Sequence, residues 1–266
     1  MLKEKSTYNC TYIISSCDAY KDLWAPFFML KHKYWSDCPF NSMLICETEK
    51  MFLDNVYIYN TGLNFSWSKM LKMAIKKCST KYILLSMEDF FFQSKVDNHS
   101  VLSLYNYVKK NDVNMLRLIP RPGPNDKFPI FRNIGGINSN ALYRVSGQAA
   151  FWKSSILLEL LDEKESLWEF EINATQRSYK YEKFYSVYKP VLTYKHHVVE
   201  RGKWFIWSAF KFKITGVPID LKSRKVMSIY ETFVWVLHKY FSKYLIDLNP
   251  KIKNLIKPLL KRANII

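Results

Sequence analysis

Glu88 and Asp89 sit inside the run Y-I-L-L-S-M-E-D-F-F-F, residues 82–92. Two adjacent carboxylates are hard oxygen donors. At the end of a buried strand they suit a divalent cation shared with a phosphate-bearing ligand. The alternative is an exposed strand end with solvated acids, but the three phenylalanines that follow argue for cover. A second acidic group is Trp168-Glu169-Phe170-Glu171, with Arg177 six residues after Glu171. A carboxylate among aromatic rings loses solvation, holds its proton more tightly and becomes suited to general-base work. Equally, these four residues read as the start of an amphipathic helix, where acids favour the N-terminal end.

Two further groups supply polar contacts. Ser15-Ser16-Cys17-Asp18-Ala19-Tyr20-Lys21-Asp22-Leu23-Trp24 offers Tyr20 and Trp24 for stacking a nucleotide ring and Asp18 as acceptor for a base or ribose, while Asp22 suits a helix cap. Tyr194-Lys195-His196-His197 precedes Arg201-Gly202-Lys203-Trp204. Adjacent histidines on a strand point to opposite faces, so one of them can reach a metal or a phosphate oxygen. The plain alternative is a structural histidine. Arg201 and Lys203 are natural diphosphate partners. Neither G-x-G-x-x-G nor G-x-x-x-x-G-K-[ST] occurs, which excludes the usual dinucleotide and P-loop sites.

The elements that must position these groups are legible as periodicity. Short β-rich runs fall at Thr11–Ser15, Met43–Thr48, Val56–Asn60 and Tyr82–Met87. Helical spacing covers about Asp22 to His32 and Ser66 to Cys78, the latter opened by a capping serine. The order β-α-β-β-α-β predicts a mainly parallel sheet with helices on its faces, and ligands then sit beyond the C-terminal strand ends. Pro120–Pro129 holds four prolines and a glycine and predicts a functional surface loop. Ile134–Val145 reads as turn and strand, and Gln148–Leu161 as a helix leading into Trp168–Glu171. Val226–Leu245 and Ile252–Arg262 carry apolar stripes at helical spacing. Lys253, Lys257 and Lys261 line the opposite face of the second stretch, the pattern of a helix lying on a membrane surface. For Val226–Leu245, packing on the core is the equal alternative.

Bulk properties bound the function. The 266 residues, 48% hydrophobic and 24% charged, suit a globular chain with a real core. Five cysteines without C-x-x-C spacing argue for a reducing compartment and against a disulfide framework or cysteine zinc site. No secretory signal or membrane-spanning run is visible, so a cytoplasmic location is expected. The net charge of +17 is uneven: residues 201–266 hold 14 Lys/Arg and 3 Asp/Glu, a net +11, which leaves +6 for the rest. Such a tail calls for a polyanionic partner. Lysine outnumbers arginine 32 to 8, which speaks against base readout in nucleic acid.

Taken in order, S-S-C-D-x-Y-x-D-L-W, Y-I-L-L-S-M-E-D-F-F and W-E-F-E resemble bacterial GT-A glycosyltransferases of capsule and O-antigen polysaccharide synthesis. The resemblance spans about residues 10–205. It implies a GT-A-like α/β fold, Rossmann-like, with a catalytic domain at 1–205 (nucleotide-sugar half 1–92, acceptor half 93–205) and a basic helical region at 206–266. Ser15, Asp18 and Tyr20 would then receive the nucleotide. Glu88 and Asp89 would stand in the D-x-D place that holds Mn or Mg on the donor diphosphate, with His196 or His197 as a late ligand. Met87 replaces the first acid of that motif, and Arg201 and Lys203 are the alternative counter-charge. Glu171 would be the base of an inverting displacement, with Glu169 as fallback. The partners implied are a nucleotide-diphosphate sugar and a lipid-linked glycan at the inner face of the cell membrane, and no nucleic acid. The rivals are a basic nucleic-acid-binding protein, a nucleotidyltransferase and a non-catalytic membrane scaffold.

Overall fold

Six buried residues, Cys10–Ser15, form the first strand (β1). A 3-10 segment at Asp18–Leu23 leads into α1 (Trp24–Trp35). Then come β2 (Asn41–Cys46), β3 (Val56–Asn60), α2 (Trp67–Cys78) and β4 (Tyr82–Met87), the expected β-α-β-β-α-β order. The computed structural model describes residues 7–196 and 198–237. Chain contacts divide the protein into two units, 1–196 and 197–266.

The first unit continues with β5 (Phe91–Phe92), α3 (Asn98–Lys110), β6 (Met115–Arg117), β7 (Ile134–Gly136), β8 (Ala150–Lys153), α4 (Ser154–Leu160), α5 (Leu167–Arg177), β9 (Phe184–Val187) and β10 (Tyr194–Lys195). Eight strands make one sheet in the order β3-β2-β1-β4-β8-β6-β9-β7. The β3-β2-β1-β4 half is parallel. β8 runs antiparallel between β4 and β6, β9 is parallel to β6, and β7 closes the edge antiparallel to β9. β1 and β4 are buried along their whole length, so their sequences lack alternation; edge strand β3 is half-exposed.

Helices cover both faces. Ile13, on one face of β1, packs in the cluster that holds Leu71, Ile75, Trp152, Leu157 and Phe170 from α2, β8, α4 and α5. Its neighbour Tyr12 points the other way, to Trp35 of α1 at 5.5 Å between ring centroids, as strand pleating demands. Ser66 caps α2 by accepting the Lys69 N–H at 3.0 Å. The helix expected over Gln148–Leu161 begins only at Ser154, because Ala150–Lys153 form β8. A short apolar run fits either period, and insertion between β4 and β6 decides it.

The second unit is a hairpin of β11 (Val199–Glu200) and β12 (Lys203–Trp204), then α6 (Ile206–Ile214) and helical residues 229–237. Arg201 and Gly202 form the hairpin turn at φ 49° and 74°. Trp204, Phe212 and Met227 make its core. The expected helix over 226–245 is thus seen at 229–237. Residues 226–228 are not helical, Val226 forming a bridge with Trp204, whereas residues 238–245, the stretch 252–262 with Lys253, Lys257 and Lys261, and His197 lie outside the described residues. Among the described residues no helix is long and apolar enough to cross a membrane.

Candidate functional site

Because β8 opposes both β4 and β6, one edge of the sheet collects the C-terminal ends of β1, β4 and β6 and the chain entering β8. The first-strand loop, the acidic pair and residues 147–149 meet at this edge. Ser15 is buried at the end of β1, opposite Met87, and its carbonyl accepts the Glu88 N–H at 3.4 Å. Glu88 and Asp89 form the turn from β4 to β5, closed by the Phe90 N–H on the Met87 carbonyl at 3.2 Å. Glu88 is only 8% exposed, a buried acid at a strand end, and Asp89 is half-buried. Phe91 and Phe92 turn inward, Phe92 against Phe27 and Trp35, while Phe90 stacks on Tyr194 at 4.3 Å. Only Phe90 therefore fits the covering role its run suggested. His196 follows the same stack, 4.8 Å from the Tyr194 ring.

Glu171 approaches from α5. Its Oε1 accepts the Gly147 N–H at 2.6 Å. A β-carbon built on Gly147 would stand 3.4 Å from that oxygen and 3.5 Å from the Met87 methyl, so the acid lies beside the strand end that carries Glu88 and Asp89. Burial pushes the Glu171 carboxyl above the ordinary range, with the Gly147 N–H and the Arg117 charge opposing it. Trp168 and Ile172, on the same helix face, are 74% and 56% exposed. Glu169 is engaged elsewhere: it accepts the Ser166 N–H at 2.8 Å in a capping box that starts α5. That bond, with the Ser166 hydroxyl, holds its carboxyl below the ordinary range. The Arg177 guanidinium, which the spacing coupled to Glu171, grips both Glu165 oxygens at 2.7 and 2.5 Å and the Leu160 carbonyl at 2.6 Å.

Arg117 is the residue that sequence reasoning missed. Only 1% exposed at the end of β6, it donates to the carbonyls of Pro122, Tyr143 and Arg144 at 2.5, 2.9 and 2.8 Å. Burial lowers its pKa to about 10, while Tyr194 and Glu171 support its charge. Tyr194 in turn feels Asp89, Arg121 and Arg117. One neighbourhood thus links Asp89, Tyr194, Arg117 and Glu171. The signal was present: an arginine closing an otherwise apolar strand, just before a proline-rich loop.

Asp18 is committed to its neighbours. Its carboxylate accepts the Glu47 N–H at 3.0 Å and the Thr48 N–H and hydroxyl at 3.0 and 2.7 Å. Burial would raise its pKa, but the hydrogen bonds from Thr48, Glu49 and Glu47 together hold it low. Tyr20 is half-buried in the 3-10 segment. The Pro120–Pro129 loop is pinned at Pro122 by Arg117 and at Asp126, whose carboxylate accepts the Gly136 N–H at 2.6 Å; Phe128 beyond is 80% exposed. Arg201 and Lys203 belong to the second unit, where Lys203 pairs with Glu231.

Glu88 and Asp89 are the two adjacent acids of this strand end. Among the described residues no group of three His, Cys, Asp or Glu side chains gathers. Two adjacent acids still fit a cation that takes its other ligands from substrate phosphates and water.

No family model matches the chain, and no curated protein matches it. Among solved structures it is similar to Staphylococcus aureus TarS, at 11% identity and TM-score 0.46 over 96% of this chain and 52% of that one. The TarS fragment 1–349 gives 10% identity and TM-score 0.44 over 67% and 60%. The mannosyltransferase PcManGT from Pyrobaculum calidifontis, in complex with GDP-Man and Mn2+, gives 12% identity and TM-score 0.48 over 81% and 64%. The chain thus spans 52% to 64% of the length of these structures, and no residue role is carried across from them.

Proposed function

We propose that the protein is a glycosyltransferase that moves a sugar from a nucleotide-sugar donor to a glycan hydroxyl by single displacement. The observation that carries this reading is Glu171: a half-buried carboxyl with raised proton affinity, fixed by the Gly147 N–H beside the strand end that bears Glu88 and Asp89. Its proton affinity suits the base, and Glu169 is held in its cap. Glu171 takes the acceptor hydroxyl proton, and the oxygen attacks the anomeric carbon. The bond from that carbon to the diphosphate oxygen breaks, and its electron pair leaves with the nucleoside diphosphate. The configuration at the anomeric carbon inverts.

Glu88 and Asp89 would hold a divalent cation, which supplies counter-charge to the diphosphate when bound. Arg117 adds a fixed positive charge in the same neighbourhood. Ser15 and Tyr20 border the nucleotide end, and Asp18 shapes it by holding the 47–49 loop. Trp168, exposed one turn before Glu171, offers an aromatic plate for the apolar face of an acceptor sugar. The acceptor we favour is a lipid-linked glycan of bacterial surface polysaccharide synthesis, such as capsule or O-antigen, met at the inner membrane face. The basic C-terminal stretch with Lys253, Lys257 and Lys261 supports that setting.

The test is a panel of nucleotide sugars screened for thermal stabilisation with and without Mn2+, followed by Glu171→Gln. One donor should stabilise both proteins alike, and only the wild type should transfer. No shift with any donor, or transfer by Glu171→Gln at the wild-type rate, defeats the proposal.

A further inference from the structure

The second unit leaves an unusual amount of aromatic and aliphatic surface in solvent. α6 buries Ser208, Ala209 and Phe212 on one side. Its opposite side shows Trp207, Phe210 and Ile214 at 66%, 62% and 68% exposure, spaced as one helical stripe. Lys211 and Lys213, both exposed, flank that stripe. The helical residues 229–237 repeat the arrangement. Trp235 packs inward on Phe205 at 5.1 Å, and Glu231 is tied to Lys203. Ile229, Tyr230, Phe233 and Val236 face solvent at 80%, 72%, 59% and 47%. Helical segments with spent inner faces and greasy outer ones are not the surface of a freely soluble domain.

Charge selects the occupant. Among the described residues the acids of this unit are engaged internally: Glu231 with Lys203, Asp220 with the Lys222 and Ser223 amides, and Glu200 with the Trp235 indole N–H. Lys211, Lys213, Lys222 and Lys225 remain exposed. A second copy would itself carry a net +17 and would set these same exposed lysines against one another. An anionic bilayer instead matches both features, with acyl chains for the apolar stripe and headgroups for the lysines. Tryptophan and tyrosine beside lysine are also the side chains that settle at a bilayer–water boundary.

We propose that the outward faces of α6 and of residues 229–237 form a peripheral docking surface for anionic phospholipid bilayers. This surface binds lipid in its own right, without need of donor or of glycosyl transfer, and it is distinct from the lysines at 253, 257 and 261.

Flotation of the full chain with vesicles tests it. The protein should float with phosphatidylglycerol-containing vesicles, weaken in high salt, and stay behind with pure phosphatidylcholine. Trp207→Ser/Phe210→Ser/Ile214→Ser should lower partitioning about tenfold or more while the three terminal lysines are intact. Lys211→Gln/Lys213→Gln should lower it less and flatten the salt dependence. Both variants should unfold at the wild-type temperature and keep any donor-induced shift, which separates this proposal from the enzymatic one. Three results overturn it: no wild-type flotation, flotation lost only in Lys253→Gln/Lys257→Gln/Lys261→Gln, or a concentration-dependent dimer that the α6 triple variant abolishes.

Discussion

Gly147→Ala asks whether the position of Glu171, not merely its presence, sets the rate. The new methyl would stand 3.2 Å from a Leu167 methyl, 3.4 Å from Glu171 Oε1 and 3.5 Å from the Met87 methyl. Comfortable carbon contacts lie at about 3.5–4.0 Å, so Leu167 must withdraw by roughly 0.3–0.8 Å. Leu167 is half-buried at the start of α5 and can yield, so we set this overpacking near the low end, about 1 kcal/mol. Alanine also restricts the unfolded chain, which returns about 0.4–1 kcal/mol. The net change in stability is close to zero, and Tm should move by less than about 4 °C. Glu171 has less freedom, because its oxygen is held at 2.6 Å by the same residue's N–H. A shift of some tenths of an ångström should cost about tenfold in kcat, on the scale where 1 Å costs about a hundredfold. Initial rates of nucleoside diphosphate release, with the stabilising donor and its acceptor, measure this beside a thermal-shift titration. Wild-type kcat with unchanged Tm would refute the placement of the base; a Tm loss above about 8 °C would show that the glycine serves the backbone instead.

Other outcomes follow from the same geometry. Glu171→Gln should raise Tm at neutral pH. The native carboxyl binds its proton more tightly than the unfolded one, so the ionised form weakens the fold above the native pKa, and that penalty fades as pH falls through the unfolded carboxylate range. The gain over wild type should therefore vanish in acid, as Tm measured against pH will show. Asp89→Asn should weaken the donor-induced thermal shift and blunt any Mn2+ enhancement; an unchanged shift removes Asp89 from the donor site. Glu165→Ala breaks the two-pronged Arg177 pair and should cost about 2 kcal/mol by chemical denaturation, with donor binding kept. Trp168→Ala, at an exposed site, should leave Tm in place and raise the acceptor KM about tenfold by loss of ring stacking.

The parallel half of the sheet was legible because periodicity is local. Val56–Asn60 and Tyr82–Met87 coincide with β3 and β4, and Ser66 is the cap the sequence offers. β8 was not legible. A-F-W-K has no period of its own, and it becomes a strand because β4 and β6 leave a slot for it. The acids at the end of β4 could be placed from the strand alone. Their neighbourhood could not, since Glu171 reaches it through Gly147, 24 residues away in sequence, and a bond to a backbone N–H leaves no trace in residue type. Arg177 is a second such case: its partner is Glu165, twelve residues back, and nothing in the spacing of residue types names it.

The Asp18 hydrogen bonds have a consequence for how this chain can vary. They fix the length and path of residues 47–49, and Asn60 adds a further tie by donating to the Glu49 carbonyl at 2.9 Å. The next residues are unconstrained in that way: Met51 is 39% and Phe52 90% exposed. Insertions and deletions should therefore be tolerated between 50 and 55 and rejected between 47 and 49. A library that randomises the first stretch in length and the second only in side chain would sample new ligand preferences without unpicking the sheet.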